Sequence, residues 1–348
     1  MFVSEDERGK RVTLLSHAQA ARLRAGGGQY RCPACHGAVL IKNGSQMPAH
    51  FAHRHNACVA SEPESAEHLR GKLLLAEIGR AAGWEAEFEV YVPAIKQRID
   101  VLLRRGPARL ALEFQCSPLA APKLRARTQG YRQEDIPVRW ILGHRYDRLA
   151  AATKFARLAP DGRLMTEHLD VQHGKLFLRT DLRTSFCQQQ ELWPHPGGAH
   201  LVGKPPVLVQ SAREVQLSLH YRDRKIMALQ NACYARRLNL LGCPWVVHQD
   251  CACFPGLALP EWALRVMWLL RFSGRNISQA DNTRFWAQYC RTASMPLVNW
   301  ARYLEQLAPV FCRVLVNAQL LTPTPTGWRW VRAPQWFSGI DAKLAQLP

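Results

Sequence analysis

No stretch of about 18 apolar residues runs free of charge, so no membrane-spanning helix is predicted. The most apolar helix-like run, LPEWALRVMWLLRF, carries Glu261 and Arg265. The opening MFVSEDERGK has no apolar signal region, and a cytoplasmic location is expected. Internal repeats and low-complexity tracts are absent, which excludes solenoid and propeller architectures. Acidic residues are scarce: 27 Asp and Glu face 46 Lys and Arg, a net charge of +19 over 348 residues. A surface of that sign attracts polyanions, nucleic acid first among them. The eleven cysteines are odd in number and irregular in spacing. That argues against a secreted disulfide framework and for reduced thiols, some of them on metal.

The composition is otherwise globular, 47% hydrophobic and 21% charged, and the length suits about two domains with a small third. MFVSEDERGKRVTLL reads as two short strands around an acidic turn. In YRCPACHGAVLIKNGSQMPAHFAHRH, an Asn-Gly turn separates a cysteine pair from a histidine cluster. Cys32 and Cys35 have the spacing of a metal knuckle. His50 and His53 would share one side of a helical turn, and the four together would close a tetrahedral structural Zn²⁺ site. His36, His55 and Cys58 are spare candidates. The alternative is a metal-free turn.

SEPESAEHLRGKLLLAEIGRAAG reads as a helix, with Ser61 and Glu64 at capping-box spacing, Pro63 in the first turn and Gly83 as its stop. WEAEFEVYV alternates, so Trp84, Ala86, Phe88, Val90 and Val92 should face one way. QRIDVLLRR and RLALEFQC follow as strands. A helix in SPLAAPKLRARTQGYRQED comes next, then a strand in PVRWILG. The order α-β-β-β-α-β predicts one compact α/β domain. Further on, GKLFLRT reads as a strand and GGAHLVGKPPVLVQ as a linker. Helices are expected near Arg213–Leu238, Pro260–Phe272 and Leu297–Leu321. In GWRWVR, alternation puts Trp328 and Trp330 on one face and Arg329 on the other, as in a wing after a helix or as in a strand packed on a core. The cluster Cys243, His248, Cys251 and Cys253 is poorly spaced for one ion and is read as packing. The boundaries expected are 1–60 for the N-terminal β/zinc-finger-like module, 61–165 for the α/β domain and 166–348 for a mainly helical remainder.

Asp100 and Glu113 are carboxylates inside apolar strands, where an unpaired charge costs several kcal/mol, about 3 or more. Residues i and i+2 share a strand face, so Glu113 and Gln115 point the same way. With Asp100 on the adjacent strand, they form an oxygen-rich platform suited to Mg²⁺ or Mn²⁺ and to phosphodiester hydrolysis. The bland alternative is two carboxylates paired with arginines or facing solvent.

AEHLRGKLLLAEI, QRIDVLL, LALEFQCS, LRARTQGYR and VRWILG, taken with the upstream YRCPACHGAVLIKNG…AHFAH, resemble the competence protein CoiA family, within the PD-(D/E)XK nuclease-like superfamily. The resemblance is dense to about Tyr146. It implies a restriction-endonuclease-like core, with Asp100 and Glu113 as the metal-binding pair and Gln115 in place of the superfamily lysine. It also implies that Glu67 orients water or a second metal, and that Arg127 and Tyr131 hold DNA phosphates. Glutamine is neither base nor cation, so Lys72 or His68, on the helix of Glu67, would supply the missing group. The resemblance further implies zinc in the N-terminal module, action on internalised single-stranded DNA or recombination intermediates in natural transformation, and RecA recombinase as a partner. Two other readings stay open: a DNA-binding accessory protein with a weak or silent nuclease fold, and a defence or repair endonuclease.

Overall fold

A computed structural model describes residues 1–54 and 64–347. The spare ligands His55 and Cys58 and the Ser61 cap with Pro63 lie outside the described residues. No helix among them is long and apolar enough to cross a membrane. The chain divides into two compact units, Met1–Phe155 with Thr166–Arg179 and Gln189–His200, and Ala156–Met165 with Thr180–Gln188 and Leu201–Pro348.

The first unit opens with β1 (Val3–Glu5), β2 (Arg11–Thr13), α1 (His17–Ala25), β3 (Tyr30–Arg31), β4 (Ala38–Lys42) and β5 (His50–His53), whose sheet order is β2-β1-β3-β4-β5. Phe51, Val39, Leu14, Ala20 and Cys32 form its small core. Next come α2 (Ala66–Ala81), β6 (Glu85–Val92), β7 (Gln97–Arg105), β8 (Ala108–Gln115), α3 (Ala121–Gln133) and β9 (Val138–Leu142). This is the expected α-β-β-β-α-β order. β6, β7 and β8 are antiparallel neighbours, and β9 lies parallel to β8. The chain goes on through α4 (Leu149–Ala152), β10 (Arg157–Leu158), β11 (Leu164–Asp170), β12 (Lys175–Thr180), β13 (Phe186–Trp193) and β14 (His200–Gly203). The complete larger sheet is ordered β14-β13-β12-β11-β9-β8-β7-β6, with β10 on β11.

α2 starts at Ser65, whose hydroxyl accepts from the His68 backbone N–H, and Glu67 sits in the first turn where the helix dipole favours an acid. The helix lies close on the sheet at Gly71, where any Cβ would collide with the Phe114 ring. The strict alternation expected for β6 does not hold. Trp84, Ala86 and Phe88 join the core with Leu69, Leu75 and Phe114, whereas Val90 and Val92 join Ile99, Leu102 and Tyr131. The switch falls at Glu89, which has φ +54°. A left-handed residue inserts a kink that turns the following side chains to the other face.

The second unit holds α5 (Leu208–His220), α6 (Arg224–Tyr234), α7 (Glu261–Phe272), β15 (Ile277–Ser278), α8 (Gln279–Ala287), α9 (Trp300–Asn317), β16 (Leu321–Thr324), β17 (Gly327–Trp330) and α10 (Ile340–Leu344). The segment read as a linker in fact contains β14 and the start of α5. The single helix expected near Arg213–Leu238 is two, because Asp223 caps a new helix by accepting from Lys225 and Ile226. From α7 on, the order is helix, strand, helix, helix, strand, strand, and the strands pair as β15-β17-β16. Trp268 with Phe311 and Phe272 with Phe285 pack edge to face, Trp268 and Phe272 pack tilted, and the Trp330 indole donates to the Phe272 carbonyl.

Candidate active site and metal site

β7 and β8 pair from Val101 opposite Leu112 onward, so Asp100 and Glu113 are the next residues along each strand, beyond the paired register. Both carboxylates are buried. Asp100, Phe114, Gln115, His68 and Arg127 line a cavity of about 480 Å³, and Lys96, Arg98 and Lys123 add positive charge to its wall. A cationic cleft with acids at its floor suits a phosphodiester held over a reacting centre.

The Asp100 Oδ2 accepts from the Phe114 backbone N–H at 3.0 Å and faces the His68 Nε2 at 3.2 Å. Burial opposes its charge, but the His68 imidazolium and its hydrogen bond prevail and hold Asp100 down at about 2. His68 answers in kind: burial lowers its pKa, Asp100 more than reverses that, and the net direction is up. The imidazole also stacks on Phe114, with ring centroids 6.0 Å apart.

Glu113 behaves in the opposite way. Burial dominates, and its carboxyl is pushed up to about 7 although Arg127 and Tyr131 both hydrogen-bond to it. The Arg127 guanidinium donates to Oε2 at 2.5 Å and lies over the Trp140 ring, while the buried Tyr131 hydroxyl donates to Oε1. Tyr131 is therefore not a surface group awaiting phosphate, as expected from its position on α3. Its ring is in the core, and its hydroxyl positions Glu113. Arg127 keeps one edge in the cavity and the other on the same carboxylate.

Two more expectations change. Glu67 does not reach the cavity. Its two oxygens accept from the His144 backbone N–H at 3.0 Å and face the His144 Nδ1 at 2.8 Å, pinning the end of β9. One position along α2, His68 is the residue that points at Asp100. Lys72 is fully buried and lies 2.9 Å from the Glu64 carboxylate and 2.5 Å from that of Glu89. Burial would strip its proton, but these two acids hold it charged, so it cannot serve as a base. Glu89 also accepts from the Phe2 and Val3 N–H groups, and Glu64 pairs with Arg98. The network ties β1 to α2 and β6. Its acids escaped the sequence reading because Glu89 looks like an outward residue of an alternating strand; the positive φ that turns it inward leaves no mark in the sequence. Gln115 does line the cavity, anchored by its amide to the Ser117 carbonyl and hydroxyl at 2.8 and 2.9 Å.

As a donor set for a divalent cation, Asp100 fits: it is ionised, it lies at the cavity, and hard oxygen suits Mg²⁺ or Mn²⁺. Glu113 fits only once Arg127 releases an oxygen, since both its oxygens are engaged.

In the N-terminal sheet, the Cys32 and Cys35 sulfurs and a His53 ring nitrogen lie within 4.8 Å of one another, and this group could bind a metal ion. Cys32 and Cys35 flank a tight turn closed by the His36 N–H on the Cys32 carbonyl. Two thiols and an imidazole match the donors of a structural zinc site. His50 does not join them. HFAH is a strand, not a helical turn, so residues three apart lie on opposite sides. The His50 Nδ1 instead faces the Pro48 carbonyl at 2.8 Å. In the later cysteine cluster, Cys243 meets both His248 and Lys343. The Cys243 sulfur lies 3.5 Å from both the His248 Nε2 and the Lys343 Nζ, and all three groups are buried.

Two family descriptions match the chain. "Competence protein CoiA, N-terminal domain" matches residues 12–61, and "Competence protein CoiA, nuclease-like domain" matches residues 64–200. The Competence protein CoiA of Bacillus subtilis (strain 168) is 39% identical over 134 residues, covering 38% of this chain and 35% of that protein. The chain thus matches about a third of the length of that curated relative. No solved structure matches the chain significantly.

Proposed function

The chain belongs to the competence protein CoiA family, and from that premise we propose that its nuclease-like domain hydrolyses phosphodiester bonds in DNA with Mg²⁺ or Mn²⁺. One observation carries the reading: the buried carboxylate of Asp100 lies in the wall of a cationic cavity, and Arg127, which lines the same cavity, holds the buried Glu113 on the neighbouring strand. A bound cation would supply Lewis-acid activation of water and a counter-charge for the phosphate. Asp100 would hold it, with Glu113 recruited from Arg127.

The chain's own groups do the rest. Lys96, Lys123 and Arg127 bind and orient the phosphate backbone at the cavity wall. His68 takes the place left open by Gln115. It is titratable, it reaches Asp100, and although burial lowers its pKa the Asp100 carboxylate reverses the shift and favours the cationic form beside the developing charge. Gln115, fixed on Ser117, orients water through its amide. Tyr131 and Arg127 stabilise the carboxylate of Glu113. In the N-terminal module, zinc on Cys32, Cys35 and His53 would hold the knuckle against β5.

The biological setting we infer is natural transformation, with internalised single-stranded DNA or recombination intermediates as substrate, in the cytoplasm and alongside the RecA recombinase. The second reading, a DNA-binding accessory with a silent nuclease fold, is favoured by Gln115 and by the full engagement of both Glu113 oxygens. Cleavage of end-labelled single-stranded, duplex, flap and branched DNA separates the two. The nuclease reading expects cutting that needs added Mg²⁺ or Mn²⁺ and is lost in folded Glu113→Ala. Binding without cutting, in wild type and variant alike, would install the accessory reading.

A further inference from the structure

The second unit carries its own arginine concentration. Residues 261–332 contain nine arginines, no lysine and three acids. Two of the arginines spend their charge internally, Arg265 on Glu261 and Arg284 on Asp281. The elements of this stretch follow the order of a winged helix, and the long helix α9 occupies the place of the helix that such modules lay against nucleic acid.

One face of α9 presents Tyr303, Gln306, Val310 and Arg313 to a cavity of about 260 Å³. Arg163 from the β10–β11 turn, oriented by its pairing with Asp161 at 2.7 Å, and Arg183 enter the same cavity, whose wall includes one acid, Asp181. Arg183 is aimed by its ion pair with Asp181 at 2.6 Å and by stacking over Phe254 at 4.4 Å. Arg313 is exposed and has no hydrogen bond or ion pair among the described residues. Guanidinium groups converging on an aromatic-walled cavity are the donors that phosphate oxygens and bases use.

The β10–β11 turn also decides which nucleic acid fits. Arg302 donates to the Pro160 carbonyl, and the Gln306 amide reaches the Asp161 carbonyl at 3.4 Å. Gly162, at φ +83°, lies so close to Gln306 that a Cβ there would collide with it. The turn therefore covers part of this face of α9 and leaves a cavity of about 260 Å³, too small to take a duplex. A duplex is shut out along that face, while a single strand can thread its phosphates past Arg163, Arg183 and Arg313.

We propose that this cavity is a second nucleic-acid site, selective for single strands, that holds their phosphodiester backbone. The proposal does not depend on the nuclease reading. Its test is binding by the full chain in an Asp100→Asn background without added divalent cation. The probes are a fluorescein-labelled single strand and its duplex, titrated by anisotropy across a salt series. Arg163→Glu with Arg313→Glu should weaken single-strand binding about tenfold and flatten the salt slope by about one for each phosphate no longer engaged. Duplex binding should not change. The exposed pair Lys10→Glu with Arg22→Glu applies the same charge change in the first unit and should leave the single-strand preference intact. Arg313→Glu alone, at an exposed and unbonded position, guards against a folding artefact. Unchanged single-strand affinity, equal weakening on single strand and duplex, or the same weakening in the control pair would overturn the proposal. So would protection of Arg313 from guanidine-directed modification by inorganic phosphate or a mononucleotide but not by the strand, which would make this a small-phosphate pocket.

Discussion

Glu113→Gln should make the first unit more stable, and only where the pH is high enough. In the folded chain the Glu113 carboxyl is pushed up to about 7 from an ordinary 4.5, chiefly by burial. A group whose folded pKa is raised contributes nothing unfavourable below its unfolded pKa. It costs stability increasingly as the pH rises from 4.5 to 7, and the full cost is present above that window. Each pKa unit is worth about 1.4 kcal/mol, so the cost at pH 8 is of the order of 3 kcal/mol. The amide is nearly isosteric with the protonated acid and carries no charge; its oxygen can still accept from Arg127, while its NH2 can donate to the Tyr131 hydroxyl oxygen. Urea unfolding without added divalent cation should therefore show the variant matching wild type near pH 5 and exceeding it at pH 8 by about 2–3 kcal/mol, allowing for the weaker bond to Arg127. Adding Mg²⁺ or Mn²⁺ should stabilise wild type and narrow the gap, because a cation offers the ionised carboxylate a partner. A variant destabilised equally at every pH would refute the reasoning, and so would a gap that divalent cations leave untouched.

Asp100→Asn removes the charge that raises the His68 pKa against burial, so that pKa, followed by NMR of the imidazole protons, should fall below that of an ordinary histidine. Lys72→Met leaves two buried acids short of a partner and should cost about 3–5 kcal/mol in urea unfolding. Activity per folded molecule should survive, since Lys72 never reaches the cavity; a loss of activity in fully folded protein would return it to the chemistry. Zinc content by elemental analysis should fall in Cys32→Ser, Cys35→Ser and His53→Ala and stay at wild-type level in His50→Ala; equal loss in His50→Ala would contradict the strand geometry.

The α-β-β-β-α-β order was readable because its elements announce themselves: a capped apolar helix, strands bounded by turns, a Gly-Pro hairpin between β7 and β8. Asp100, Glu113 and Gln115 were also readable, since acids and an amide inside apolar strands need a reason. What failed depended on backbone events without a residue signature. The left-handed Glu89 turned the end of β6 over and created an inward acid for Lys72, so a helix lysine that resembled a catalytic group became a buried ion pair. His50 and His53 were assigned helical spacing where the chain is extended. Glu67 and His68 are neighbours, and only the rotation of α2 on the sheet, set by the close approach at Gly71, decides which of them meets Asp100. Tyr131 reads as an ordinary helix residue, and its burial follows from packing between α3 and the sheet.

The most direct measurement is single-turnover cleavage of a labelled DNA strand by wild type and Asp100→Asn, each shown folded, across a Mg²⁺ series and with no divalent cation added. Cleavage by wild type that rises with Mg²⁺, and its disappearance in Asp100→Asn at every Mg²⁺ concentration, is the predicted result. Equal cleavage by the two proteins, or DNA bound and never cut by wild type at any Mg²⁺ concentration, would contradict the assignment of Asp100 and Glu113 as the reacting centre.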